Sequence, residues 1–498
     1  MTVQDFTLYD ALDRNARAFG ERTALITETG TAVSFAELRT RVDRLAAGLA
    51  ARGLEKGDRI AIVALNSAAF LELFFACARQ GYIAYPLNWR LTPDEIERIL
   101  ERASARMLVV DEASRSQLPA SAGNIEHHAS FDGEERPLGD LYIDPPESFD
   151  RPAVGSNDIF TVIATAAVDV VPRGAMLSHG NLVAANLQEI AALTLRPDDC
   201  NLVALPLFHI AGLGHCLSHF HAGASNVVAP RFDAAEAVQQ VDEHRVTHLS
   251  DFPPILAQIL DAAEEAGSSL DSLRWVSGLD APDTMQRLHD QTAAAFVTGF
   301  GQCETTGFVT LQNARERLGC AGKPCEACSV QLVDDYDRPV AVGEEGEIVV
   351  RGPLVFLGYD GQPDVTEYTF RNGWHHTGDV GRFDEEGNLF YVKRKAEKEL
   401  IKPGGENVYP AEVESVVIEL ESVREVCVIG VPDAKWGEAI KAVVELAPGA
   451  RAEAQDIIDH VASRIARFKK PHHVAFVESL PRDDAGEIDR EAVRTEHG

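Results

Sequence analysis

Cys320, Cys325 and Cys328 stand in a C-x4-C-x2-C arrangement, the spacing with which a plant-type iron–sulfur loop presents three thiolates. The next cysteine is Cys427, so no fourth thiolate is at hand, while Gly319, Gly322 and Pro324 are the residues of a turn. A turn is the favoured reading, and no metal is assigned to the cluster. Other reactive groups stand singly beside glycine. Glu304 follows Gly299-Phe300-Gly301-Gln302-Cys303, Asp379 follows Gly373-Trp374-His375-His376-Thr377-Gly378, and His209 ends Leu205-Pro206-Leu207-Phe208-His209. Taken one at a time, Asp379 reads as a turn residue, Glu304 and Arg394 as solvated charges, and His209 as a satisfied core histidine.

The elements that must position these groups alternate along the chain. Ser34-Phe35-Ala36-Glu37 and Thr92-Pro93-Asp94-Glu95 are capping boxes, each opening a helix. Apolar runs at Ile60–Ala64 and Met107–Val110 read as strands buried on both faces, followed by candidate strands at Phe160–Ile163, Asn201–Ala204, Ser225–Val228, Trp275–Ser277 and Ala295–Val297. This βαβ order predicts parallel-rich sheets flanked by helices. A Pro-, Gly-, Asp- and Ser-rich segment at about 120–155 reads as a surface connection. From about Gly343 short alternating runs predict an antiparallel or barrel-like subregion. A charge run, Lys393-Arg394-Lys395-Ala396-Glu397-Lys398-Glu399, then separates 1–392 from a small α+β unit, 393–498.

Composition sets outer limits. With 78 acidic against 46 basic residues the formal charge is −32, so the average surface repels nucleic acid and anionic lipid. An anionic ligand must be held locally, by backbone N–H groups and a few placed cations. The most apolar run, Ala68 to Ala78, is too short for a membrane span and contains Glu72. The first residues show no basic-then-apolar leader, and the eight scattered cysteines do not make a disulfide framework, so a cytoplasmic location is expected.

The segments Arg173-Gly174-Ala175-Met176-Leu177-Ser178-His179-Gly180-Asn181, Gly299 to Thr305, Gly373 to Asp379 and Lys398 to Glu412 together resemble the signature segments of the acyl-adenylate-forming enzymes. Members include acyl- and aryl-CoA synthetases. The resemblance implies a large N-terminal domain and a small mobile C-terminal domain. It also implies a two-step reaction: ATP with Mg²⁺ adenylates a carboxylate, and a thiol, usually coenzyme A, captures the acyl-adenylate. By the same resemblance Asp379 and Arg394 contact the ribose, Glu304 ligates Mg²⁺ if ATP is used, and the backbone of Gly301, Gln302 and Cys303 lies against AMP. Gly278, Leu279 and Asp280 meet the adenine, Phe208-His209 walls the acyl carboxylate, and Gly405 belongs to the loop lining the thiol tunnel. The implied partner is a small carboxylate or its CoA thioester. A homodimer is among the assemblies left open.

The chain departs from the family in three places. Where members carry a glycine- and hydroxyl-rich phosphate loop, this one reads Thr165-Ala166-Ala167-Val168-Asp169-Val170-Val171-Pro172-Arg173-Gly174, leaving Arg173 as its cation. A carboxylate placed about 4 Å from a phosphate costs on the order of 1–4 kcal/mol. Near the C-terminus Glu487 replaces the lysine that assists adenylation in the family, and Cys303 replaces a hydroxyl donor. Three functions stay open: a carboxylate–CoA ligase with an impaired first step, a repurposed enzyme acting without an adenylate, and a non-catalytic binding paralogue.

Overall fold

The computed structural model describes residues 5–133, 136–165, 172–395, 400–433, 435–482 and 488–498. Helix starts follow the local chemistry. Ser34 Oγ accepts from Glu37 N at 3.2 Å, and the Glu95 carboxylate accepts from Thr92 N at 2.7 Å while Thr92 Oγ1 accepts from Glu95 N, closing both ends of a capping box.

Among the described residues the large domain holds two parallel-rich sheets. The first runs His127–Ser130, Met107–Val110, Arg59–Val63, Ile83–Pro86, Ile159–Thr165 and Arg173–Ser178, parallel except for the last pair. The second has nine strands, and its central six are parallel: Ala295–Thr298, Trp275–Gly278, His248–Asp251, Cys200–Val203, Ser225–Val228 and Thr23–Ile26. The helix Ala68–Gln80 is buried nearly all round, because Phe70, Phe74 and Phe75 pack in one core with residues of both sheets, Ile62 from the first and Val203 and Val228 from the second. No helix among the described residues is long and apolar enough to cross a membrane.

The alternating runs after Gly343 belong to an antiparallel sheet of Ser329–Val333, Glu345–Arg351, His375–Phe383 and Leu389–Arg394. The small domain is a three-stranded sheet, Val423–Asp433, Gly437–Leu446 and His473–Val477, covered by the helices Pro410–Val417, Ala454–Arg464 and Arg490–His497.

Two features differ from the sequence reading. The segment at 120–155 is not all surface connection: His127–Ser130 forms the edge strand of the first sheet, and Leu138 and Leu141 are buried. That turn presses so closely on the helix Phe35–Ala51 that a Cβ on Gly48 would lie 1.8 Å from the Leu141 oxygen. The strand His248–Asp251 also escaped the reading, because its His, Ser and Asp carry no apolar pattern although all are buried.

Candidate active site

The strand Ile159–Thr165 and its antiparallel partner Arg173–Ser178 bring Thr165 opposite Arg173. Residues 166–171 between them lie outside the described residues, and with them Ala167, Asp169 and Val170; Glu487 lies outside them too. Below the hairpin, Glu304 is 4% exposed, and its Oε1 accepts from Thr165 Oγ1 at 2.7 Å and from Tyr359 OH at 2.9 Å. Both of these bonds fall on Oε1 and Glu304 lines the cavity, so its second hard oxygen is available for a cation such as Mg²⁺. Arg173 stacks over the Tyr359 ring at 5.4 Å, which gathers Arg173, Tyr359 and Glu304 into one cluster.

Asp379 is fully buried behind this cluster, in register opposite Arg394 on the neighbouring strand. Its Oδ1 accepts from Arg394 Nε at 2.8 Å and from Tyr391 OH at 3.3 Å, and its Oδ2 accepts from Gln302 Nε2. A carboxylate offers about four acceptor positions. With Arg394 Nη2 on Oδ2 at 3.4 Å as the fourth donor, a ribose diol arriving here must displace two of them.

Gly278 ends the strand Trp275–Gly278, where a Cβ would lie 1.8 Å from the Asp251 oxygen, so only glycine fits. Leu279 is exposed beyond it. Asp280 Oδ1 accepts from Ala281 N at 2.6 Å, and the buried Oδ2 atoms of Asp280 and Asp251 meet no other donor among the described residues, so the two carboxyls bond to each other when one carries the proton. Burial, then the neighbouring Asp280, pushes the Asp251 carboxyl well above the usual range, and burial raises Asp280 as well.

A cavity of about 550 Å³ opens between these elements and the small domain. It brings together Gly278, Gly301, Gln302, Cys303, Glu304, His209, Arg394 and Gly405; Arg173, Leu279, Asp280 and Asp379 stand outside its wall. Burial, with Glu304 beside it, pushes the Cys303 thiol up to about 12. The small domain closes the cavity with Pro403 to Asn407. Gly404 and Gly405 have φ of 59° and 84° and pass within reach of Trp436 and Phe252, as glycine permits. Glu406 anchors the loop: it pairs with Arg90, accepts from Asn88 Nδ2 at 3.0 Å and faces His209 Nε2 at 3.5 Å. Burial works against its charge, yet His209 and Arg90 hold its carboxyl below the usual range.

Sequence reasoning placed Glu406 only within the loop Gly404-Gly405-Glu406-Asn407 that lines the thiol tunnel, and gave no role to Lys402. Lys402 lines the cavity near Arg394 and Cys303; burial, then Arg394, pulls its ammonium below the usual value, against the pull of Asp379. The available signal was a lysine set between apolar Leu400-Ile401 and Pro403-Gly404-Gly405. The cysteine spacing resolves into backbone contacts, with Cys328 Sγ donating to the Val309 carbonyl at 3.2 Å.

Residues 12–360 match the AMP-binding enzyme family, and residues 412–487 match the AMP-binding enzyme C-terminal domain. The chain belongs to this family. It is 36% identical to a feruloyl-CoA synthase of Amycolatopsis sp, over 97% of this chain and 98% of that one. It superposes with a TM-score of 0.87 on a double mutant of o-succinylbenzoate CoA synthetase from Bacillus subtilis bound with a product analogue, at 29% identity and covering 99% of this chain and 98% of that one. Against the same enzyme in complex with its acyl-adenylate intermediate the TM-score is 0.71, at 29% identity and 99% coverage of both chains. Acyl- and aryl-CoA ligation is thus the class of chemistry among this family member's relatives, and the whole chain superposes better on the product-analogue complex than on the acyl-adenylate complex.

Proposed function

We propose that the chain is a carboxylate–CoA ligase in which the thioester-forming half of the site is complete and the adenylating half is attenuated. The observation that carries the reading is the docking of Pro403 to Asn407 on the cavity through Glu406, supported by the higher whole-chain TM-score against the product-analogue complex. In the first step a carboxylate oxygen attacks the α-phosphorus of ATP and pyrophosphate leaves. In the second the CoA thiol attacks the acyl carbon, the acyl–oxygen bond breaks, and AMP leaves.

In this reading Asp379 and Arg394 hold the ribose, and Gly278, Leu279 and Asp280 line the adenine side. Gly301, Gln302 and Cys303 offer backbone to the AMP phosphate. His209 walls the acyl carboxylate, and Gly405 lets the thiol approach. Glu304 Oε2 would hold Mg²⁺, which when bound with ATP neutralises phosphate charge. Arg173 is the phosphate-side cation, and Glu487 marks the lost adenylation lysine. We place the hinge just after the strand Leu389–Arg394 rather than at 392/393, since Lys393 and Arg394 are laddered to Val380 and Asp379, and Lys395 N donates to Gly378 O at 2.8 Å.

Two half-reaction assays test the reading. ATP–pyrophosphate exchange over a panel of carboxylates is expected to be weak, while synthetic acyl-AMP with CoA is expected to release AMP rapidly. The charge of Asp169 and Glu487 favours one second reading, an enzyme acting on a ready-made thioester without an adenylate. Failure of acyl-AMP turnover alongside turnover of an acyl-CoA would select it.

A further inference from the structure

Glu189, on the helix His179–Ala192, stands among three histidines from two other elements. His215 and His219 lie four residues apart, on one face of the helix Ile210–Ala222, and His248 opens the strand His248–Asp251. Ligand atoms of Glu189, His215 and His248 all lie within 4.8 Å of one another. His219 joins them through Nε2, 3.2 Å from His248 Nδ1. His215 is 6% exposed, and the other two histidines are fully buried. Glu189 and His215 line the cavity beside apolar Leu193, Val297 and Leu311, while His219 and His248 stand outside its wall. Titratable groups are gathered in such surroundings only when they are paired or hold an ion.

The outer hydrogen bonds orient the rings. His219 Nδ1 donates to the His215 carbonyl at 2.8 Å, which assigns its proton to that nitrogen and leaves the Nε2 lone pair toward His248. His248 Nε2 lies 2.9 Å from Ser277 Oγ; with its proton given to that oxygen, His248 turns the Nδ1 lone pair toward His219. A carbonyl or hydroxyl on the outer nitrogen is the usual support of a metal-bound imidazole. Two ligands ~2.0 Å from a tetrahedral ion stand ~3.3 Å apart, close to the 3.2 Å between these nitrogens. Burial lowers both His219 and His248, against the pull of Glu189 on His219, so both meet an ion without first losing a proton. His215 differs. Its Nδ1 lies 2.6 Å from Glu189 Oε1, and although burial opposes the Glu189 charge, the attraction of His215 holds that carboxyl below the usual range. Here the ion replaces a proton: His215 releases it and the pair spreads by about 0.7 Å to become two ligands. Glu189 Oε2, accepting from Ser218 Oγ at 3.0 Å, keeps the carboxylate in place.

We infer that Glu189, His215 and His248, with His219 as fourth ligand, form a site for a divalent transition-metal ion of the zinc class. The ion ties the helices His179–Ala192 and Ile210–Ala222 to the strand His248–Asp251 and stiffens the cavity wall that Glu189 and His215 supply. Its donor set separates it from the oxygen site at Glu304, because imidazole suits zinc whereas Mg²⁺ takes oxygen ligands. The competing arrangement is hydrogen bonds alone, with His248 Nδ1 donating to His219 Nε2 and the His215–Glu189 pair keeping its proton. The site asks for no ATP, carboxylate or CoA, so it stands or falls apart from the ligase reading.

Untagged protein, stripped with a chelator and dialysed, is titrated with Zn²⁺ against a chromogenic chelator and with Co²⁺ by visible absorption. About one equivalent of Zn²⁺ should bind with submicromolar affinity, Co²⁺ should show the intense bands of a tetrahedral site, and Zn²⁺ should raise the melting temperature. His215→Gln and His248→Gln should each abolish this binding. Ser277→Ala, which removes the support behind His248, should weaken it by roughly 10–100-fold, and Glu189→Gln by at least as much. A variant combining Cys320→Ser, Cys325→Ser and Cys328→Ser should bind as the unaltered protein does. No binding overturns the site in favour of hydrogen bonds alone. Weak octahedral Co²⁺ bands, affinity kept in the histidine, serine and glutamate variants, or loss in the cysteine variant overturns it as well. If the histidine variants do not fold, Ser277→Ala, Glu189→Gln and the Co²⁺ spectrum decide.

Discussion

Replacing Lys469 with methionine should undock the small domain. The Lys469 ammonium, 3% exposed, lies 2.5 Å from Glu95 of the large domain and 2.6 Å from Glu412 of the small one, and Glu95 also accepts from Ala466 N at 3.1 Å. Without the ammonium, two buried carboxylates face each other uncompensated. Removing one partner of a buried ion pair costs about 3–5 kcal/mol. Undocked, both carboxylates are hydrated, so nearly all of this falls on the docked arrangement and shifts its population by roughly two to four decades at about 1.4 kcal/mol per decade. The wild-type ammonium pulls the Glu95 carboxyl down against burial, whereas burial keeps Glu412 raised. In the variant both carboxyls rise in the docked state, so docking recovers as pH falls and is lost as pH rises. Small-angle scattering and AMP release from acyl-AMP plus CoA provide the assay. At pH 8 the particle should expand and the rate fall at least roughly 100-fold, with partial recovery at pH 5.5. A variant with unchanged scattering and rate at pH 8 would refute the reasoning.

Asp251→Asn should stabilise the protein by about 1–3 kcal/mol at pH 8: a carboxyl raised on folding contributes stability below its unfolded value and loses it as pH rises, so the melting-temperature gain should vanish near pH 4. With its thiol pushed up to about 12, Cys303 should resist iodoacetamide at pH 8, as peptide mass spectrometry would read directly. Calorimetry should find AMP bound more tightly than ATP with Mg²⁺, and a tenfold preference for ATP, about 1.4 kcal/mol, would contradict the assigned attenuation. Glu487→Lys and a rebuilding of 166–170 to Ser-Gly-Thr-Thr-Gly should each give little pyrophosphate exchange and together give far more than the product of the two, because both act on one step.

Much of this architecture was legible in residue order. Strands at Met107–Val110 and Ser225–Val228 fall where their apolar runs predict, because residues buried on both faces leave a continuous signal. His248–Asp251 was invisible for the opposite reason: its polar side chains are buried against partners on other elements, His248 against Ser277 of the next strand and Asp251 against the Leu256 N–H of a helix, which no local pattern encodes. The nucleotide-side residues were legible as motifs, but their present partners were not. Nothing in the sequence says that Gln302 and Tyr391 occupy the Asp379 carboxylate, since these residues meet only across a folded sheet. The Glu189 and His215 pair was missed likewise, its members lying 26 positions apart on different helices.

On the proposed reading, the charges this sequence carries would let one half of the reaction persist while the other weakens. In adenylation negative charge develops on departing pyrophosphate, and the stations that would answer it, the 166–170 segment and position 487, carry Asp169 and Glu487. In thioester formation it develops on departing AMP, and there Arg394 and Lys402 stand at the cavity while Arg90 neutralises Glu406 beside it. Cations that meet the leaving group only as its charge grows accelerate that step without holding its substrate more tightly. A partly desolvated Lys402 answers such growth more strongly than a hydrated one, because less water screens it. On the proposed reading the two acidic positions bear on the first leaving group, while Arg394 and Lys402 at the cavity serve the second.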